Sequence, residues 1–150
     1  MKLAEALVLR ADLQKRIAQM RPRLMNNAWL QEGEHPAEDP EQLLQELQQL
    51  QQQLEELVTR INLTNAQPGA DGVTITALLA RRDGLTAYIE TLHDFLVEAS
   101  SAPSRASRSE IRVLPAVNVQ EYRKKADETA RDLRELDLRI QQLNWTTELI

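Results

Sequence analysis

Leucine and isoleucine recur at Leu43, Leu47, Leu50, Leu54, Leu57 and Ile61, with spacings of 4, 3, 4, 3 and 4. On an α-helix that rhythm sets all six along one seam, which predicts a long amphipathic helix lying against a partner. The same alternation returns in three other stretches. One carries Leu3, Ala6, Leu13, Ile17, Met20 and Leu24, with Arg10 filling a core position. Another runs through Ile75, Leu78, Arg82, Leu85, Ile89, Leu92, Leu96 and Ala99, and the last through Val119, Tyr122, Ala126, Thr129, Leu133, Leu136, Ile140 and Leu143. Each apolar stripe is narrow, so a single helix of this kind is not stable alone. The pattern predicts an all-α fold of four helices near residues 2–30, 40–63, 75–100 and 118–144. Their shallow, heptad-like packing implies long antiparallel coiled-coil-like hairpins forming a bundle, in a single helical domain spanning 1–150.

Punctuation between the seams sharpens the boundaries. Pro22 falls inside the first segment, where a proline removes one backbone hydrogen bond and clashes with the preceding turn, so a kink or break is expected near Arg21. Asp39 reads as an N-cap with Pro40 at the first helical position and Gln42 as the capping-box partner. Thr74 or Thr76 caps the third helix, and Asn118 caps the fourth with Glu121 three residues on. Asn62, Thr64 and Asn65 read as turn chemistry closing the second helix. Two connectors, near 72–75 and 110–114, alternate polar and apolar residues and suggest one short two-stranded β-ribbon.

Composition narrows the possibilities. Trp29, Trp145, Tyr88, Tyr122 and Phe95 are all the aromatics, so the core is aliphatic. There is no cysteine, which removes disulfides and thiolate metal sites and fits a reducing compartment. No run approaches the ~18 apolar residues that would span a bilayer. The opening apolar stretch stops at Arg10 with Asp12 behind it, unlike a secretory signal. The chain therefore reads as soluble and cytoplasmic, with no membrane partner expected.

Charge is divided unevenly along the chain. Residues 1–30 hold six Lys/Arg against two Asp/Glu, a net of +4, whereas residues 31–58 hold eight Asp/Glu and no Lys/Arg, a net of −8. Neighbouring helices of opposite charge in one hairpin account for this. Each exposed pair contributes only about 0.2–1 kcal/mol. Seam residues Arg10 and Arg82 are expected to pair with carboxylates, fixing register.

Candidate chemistry is sparse. His35 sits among Glu32, Glu34, Glu38 and Asp39 in the acidic loop 32–39, but the spacing matches no EF-hand or zinc pattern. His93 has no second ligand one turn on and reads as an ordinary helix histidine. Arg105, Arg108 and Arg112 lie in a serine-rich stretch and are the candidate contacts for a phosphate or nucleic acid. No aromatic interleaves with them as a stacking platform requires, so the stretch reads first as a solvated loop. Without cysteine, a serine–histidine–carboxylate constellation or a glycine-rich phosphate loop, the chain is read as no enzyme, with no cofactor and no metal.

Several stretches together resemble small bacterial helical proteins often labelled septicolysin-like, a largely uncharacterised family. They are 1–7 (MKLAEAL), 10–17 (RADLQKRI), 31–33 (QEG), 61–65 (INLTN), 107–111 (SRSEI) and the ending 144–149 (NWTTEL). The label implies a membrane-active, pore-forming protein. A pore needs a lipid-facing helix or strand pair, whereas each helix here spends its apolar stripe on packing. The paired helices are also similar in shape to the helical-hairpin arm of seryl-tRNA synthetases, which touches tRNA with basic residues. That similarity is one of shape only, since the second helix here is strongly acidic at its start; the alternative reading is an RNA- or tRNA-associated module using the basic first helix and the Ser/Arg loop.

The preferred reading is an interaction or scaffold protein that self-associates into a homo-oligomer, its protein partner otherwise unspecified. Leu7, Leu44, Leu79, Phe95, Leu138 and Trp145 fall beside the seams and form the candidate oligomer interface.

Overall fold

A computed structural model describes residues 1–101 and 112–150. Its four helices are α1 (Leu3–Asn26), α2 (Pro40–Ala66), α3 (Ile75–Ser100) and α4 (Val119–Thr146). The fold is all-α, with 75% of the described residues helical, far above the roughly one third of an average domain. Every predicted seam position is buried or half-buried. The chain divides into two compact units, residues 1–68 with 143–150, and residues 69–142.

In the first unit α1 packs along α2. The pair is antiparallel: Arg23, near the end of α1, meets Glu38, just ahead of α2, and Glu46 in its second turn. Leu3, Ala6, Leu13 and Met20 are buried on α1, and Leu43, Leu50, Leu57 and Ile61 on α2. Asp39 is the N-cap of α2 as expected; its carboxylate accepts a 3.0 Å bond from the Glu41 amide, with Pro40 following.

Three expectations for this unit are corrected. First, of the kink or break expected near Arg21, the break does not occur: α1 stays helical through Pro22. Pro22 and Ala18 are both exposed, so water can satisfy the Ala18 carbonyl that loses its partner. Second, α1 ends at Asn26 rather than near Leu30. Asn27 stops it by bonding across the break: its side-chain amide donates to the Arg23 carbonyl at 2.8 Å, and its oxygen accepts from the Glu38 amide at 2.9 Å. Trp29 and Leu30 are consequently left outside the helix and exposed. Third, α2 continues to Ala66, so Asn62, Thr64 and Asn65 lie within it. The Thr64 hydroxyl bonds back to the Arg60 carbonyl at 2.8 Å instead of ending the helix.

Arg10 also departs from expectation, having no carboxylate partner among the described residues. Its Nε is enclosed without a hydrogen bond while the residue as a whole is half-buried.

In the second unit, Leu92 and Leu96 of α3 cluster with Ala126 of α4, flanked by Val119 and Tyr122. At the far end Arg139 of α4 pairs with Asp71, ahead of α3. These helices too are therefore antiparallel. Asp71 accepts a 3.0 Å bond from the Val73 amide within a turn whose Gly72 adopts φ 77°, a conformation that strains any side chain. Thr74 caps α3 through a 3.0 Å bond from the Ala77 amide. Asn118 caps α4 through a 3.2 Å bond from the Glu121 amide. Arg82 finds a carboxylate, its sequence neighbour Asp83, at 2.8 Å.

The suggested ribbon does not form over its described residues. Residues 72–74 are spent on the turn and cap, Ile75 already opens α3, and 112–114 carry no regular structure; 110 and 111 lie outside the described residues.

Candidate functional site

The residues expected at an oligomer interface separate into two groups. Leu44, Phe95, Leu138 and Trp145 are 55%, 44%, 64% and 62% exposed. Leu7 and Leu79 are half-buried, so they belong partly to the packing of their own helices. Arg112 is exposed, while Arg105 and Arg108 lie outside the described residues. His35 is exposed in the acidic connector, and no cluster of metal-ligating side chains occurs among the described residues.

His93 lines an open groove of about 550 Å³ with Leu96, Val97, Ser100, Ser101 and Arg123. The Ser100 hydroxyl donates to the Leu96 carbonyl at 2.6 Å, and its oxygen accepts from the Arg123 guanidinium at 3.0 Å. A backbone carbonyl is too weak a base to take the hydroxyl proton, and the cation that the oxygen faces withdraws electron density from it. That is the reverse of nucleophile activation, and it suits a helix-end cap.

A closure of the first unit was not foreseen from sequence. Lys2 and Glu148 form an isolated antiparallel bridge: the Leu3 amide donates to the Thr147 carbonyl and the Leu149 amide to the Met1 carbonyl, both at 2.9 Å. The Lys2 ammonium lies 2.6 Å from the Glu148 carboxylate, and the Met1 amino group 3.3 Å from it. Ile150 adds two contacts to α2, donating its amide to the Thr64 hydroxyl at 3.1 Å and accepting from Arg60 Nε at 2.6 Å. No local pattern signals these contacts, because the bridged residues stand almost a full chain length apart.

Hydrogen bonding to Lys2, helped by the Met1 amino group, holds Glu148 below the ordinary glutamate value of 4.5. Glu38 is lowered by its bonds to Arg23, and Asp71 chiefly by the Val73 amide and then by Arg139. Carboxylates with depressed folded-state pKa values contribute stability that is complete above their ordinary values and is lost as pH falls through the folded values. The expected result is a urea midpoint that is flat, as far as these groups go, down to about pH 4.5 and then declines. Glu148→Gln should give a shallower acid decline than wild type. An acid limb identical in both proteins would show that this carboxylate is not among its causes.

The geometry so far defines an all-α protein of paired, antiparallel long helices with a bridged pair of chain ends. The chain belongs to a family of unknown function, DUF6847, which it matches over residues 10–149. It is also similar to a functionally unknown conserved protein from Corynebacterium diphtheriae, known from a crystal structure. The two are 40% identical with a TM-score of 0.84, over 100% of this chain and 99% of the other. A comparison with curated proteins gives no significant match.

Proposed function

We propose that the protein is a non-enzymatic interaction or scaffold protein that assembles with copies of itself through its helices. The observation that carries this reading is the exposure of large apolar side chains at helical positions outside the seams. Leu44, Phe95, Leu138 and Trp145 are each between 44% and 64% exposed. Each would contribute roughly 25 cal/mol for every Å² it buried against another chain. No helix among the described residues is long and apolar enough to cross a membrane, which leaves a protein partner as the natural cover for such residues.

Sedimentation equilibrium tests the reading directly. The weight-average mass should exceed the 17.1 kDa of one chain and rise with concentration. A single species at the chain mass throughout the micromolar range would overturn it.

A further inference from the structure

Besides its buried seam, α3 carries a second heptad stripe, each position one residue ahead of a seam position and so about 100° around the helix from it. Arg81, Gly84, Tyr88, Thr91, Phe95 and Glu98 are spaced 3, 4, 3, 4 and 3, and all six are exposed. At 3.6 residues per turn they share one face of the helix. Tyr88 and Phe95 are 51% and 44% exposed, in a chain with only five aromatic residues. The four residues between Arg81 and Glu98 on this stripe are uncharged, although 27% of the chain is charged.

Gly84 needs an explanation that α3 does not supply. It lies within the helix, and a Cβ built there meets no atom within 4 Å. Glycine at an exposed helix interior costs about 1 kcal/mol relative to alanine. Among the described residues nothing uses the space that its missing side chain leaves.

We propose that this face of α3 is a homodimer interface, formed by two copies of the helix crossing antiparallel about a two-fold axis between Ile89 and Glu90. This names the surface for the self-association proposed above and rests on that reading. The occupant is a second copy because the stripe is self-complementary. Its spacing reads the same in both directions, so a two-fold axis sets Arg81 opposite the partner's Glu98, Gly84 opposite the partner's Phe95, and Tyr88 opposite the partner's Thr91. Each pairing joins opposites, positive with negative or large with small. The Phe95 ring fills the space over Gly84, and the alternation of three and four residues suits packing at about 20° with axes ~8–10 Å apart. The stripe is about 26 Å long at ~1.5 Å per residue and one helix wide. That footprint falls short of the ~800 Å² per partner of a standard interface, so the dimer is weak and concentration-dependent.

The chain's lack of cysteine makes the geometry testable by single thiols. Across the proposed axis two Thr91→Cys positions stand three residues apart along the helix, about 4.5 Å, and two Gly84→Cys positions eleven apart, about 16 Å. Mild oxidation should convert Thr91→Cys, but not Gly84→Cys, into a disulfide-linked dimer. Equal cross-linking of both variants would indicate parallel helices and overturn the proposal. In sedimentation, Arg81→Glu and Glu98→Arg should each weaken dimerisation about ten-fold, because each places like charges together twice; the double reversal should restore it. All of these positions are exposed, and circular dichroism checks that each variant stays folded. If wild type associates while neither reversal changes the mass and Thr91→Cys stays uncross-linked, this surface is wrong and self-association occurs elsewhere. If wild type is monomeric throughout, both proposals fall.

Discussion

Replacing Ile61 with alanine should lower the free energy of unfolding by about 2–5 kcal/mol, the range for truncating a large aliphatic side chain in a packed core. Ile61 is 2% exposed and, with Leu3, Met20 and Ile140, is one of the largest fully buried side chains. The core is a set of thin helix seams built from aliphatic side chains, so few neighbours can move in to fill the cavity. Against a typical total stability of ~5–15 kcal/mol the loss is severe. Leu63, two residues on in the same helix and 52% exposed, supplies the control. Leu63→Ala should change stability by no more than about 0.5 kcal/mol. Urea denaturation followed at the helical circular dichroism band distinguishes the two. Equal shifts would mean that the seam between α1 and α2 is not the core of this unit.

The second large effect is expected from removing residues 147–150. Leu149 is 8% exposed, and losing its burial costs roughly 2–3 kcal/mol. The deletion also takes away the Thr147 carbonyl that accepts from the amide of Leu3, a residue with no exposed surface. An orphaned donor at a buried site costs a further ~1–3 kcal/mol unless water reaches it. A total loss of about 3–6 kcal/mol follows from these two contributions. Hydrogen exchange should rise first in the opening turn of α1, where the bridge is lost, and Leu149→Ala alone should reproduce part of the loss. A truncated chain with the wild-type urea midpoint would reduce the bridge to a surface contact.

The two substitutions probe different kinds of information. The seam containing Ile61 was visible as a spacing of threes and fours, and so were the seams of α1, α3 and α4. Their helical state depends on neighbours three and four residues away, all within the same short stretch of chain. The caps were legible for the same reason: Asp39, Thr74 and Asn118 each bind an amide two or three residues downstream.

Exposure was less legible. Leu7 and Leu44 occupy comparable places beside their seams, yet one is half-buried and the other more than half exposed. Periodicity gives the direction in which a side chain leaves its helix but not what covers it there. The exposed stripe on α3 shows the same limit from the other side. Its spacing was present in the sequence, but only the open surroundings of Gly84, Tyr88 and Phe95 distinguish it from a second buried seam.

The sequence by itself thus determined the number of helices, their approximate spans, their caps and the faces they bury, because all of these follow from interactions within a few residues. Tertiary structure alone decided that Asn27 stops α1 by reaching Glu38, that Arg10 goes without a carboxylate partner among the described residues, and that Lys2 bridges Glu148. Those outcomes join groups distant along the chain, or deny them a partner, and their free energy exists only once packing has brought the segments together. No local periodicity records them.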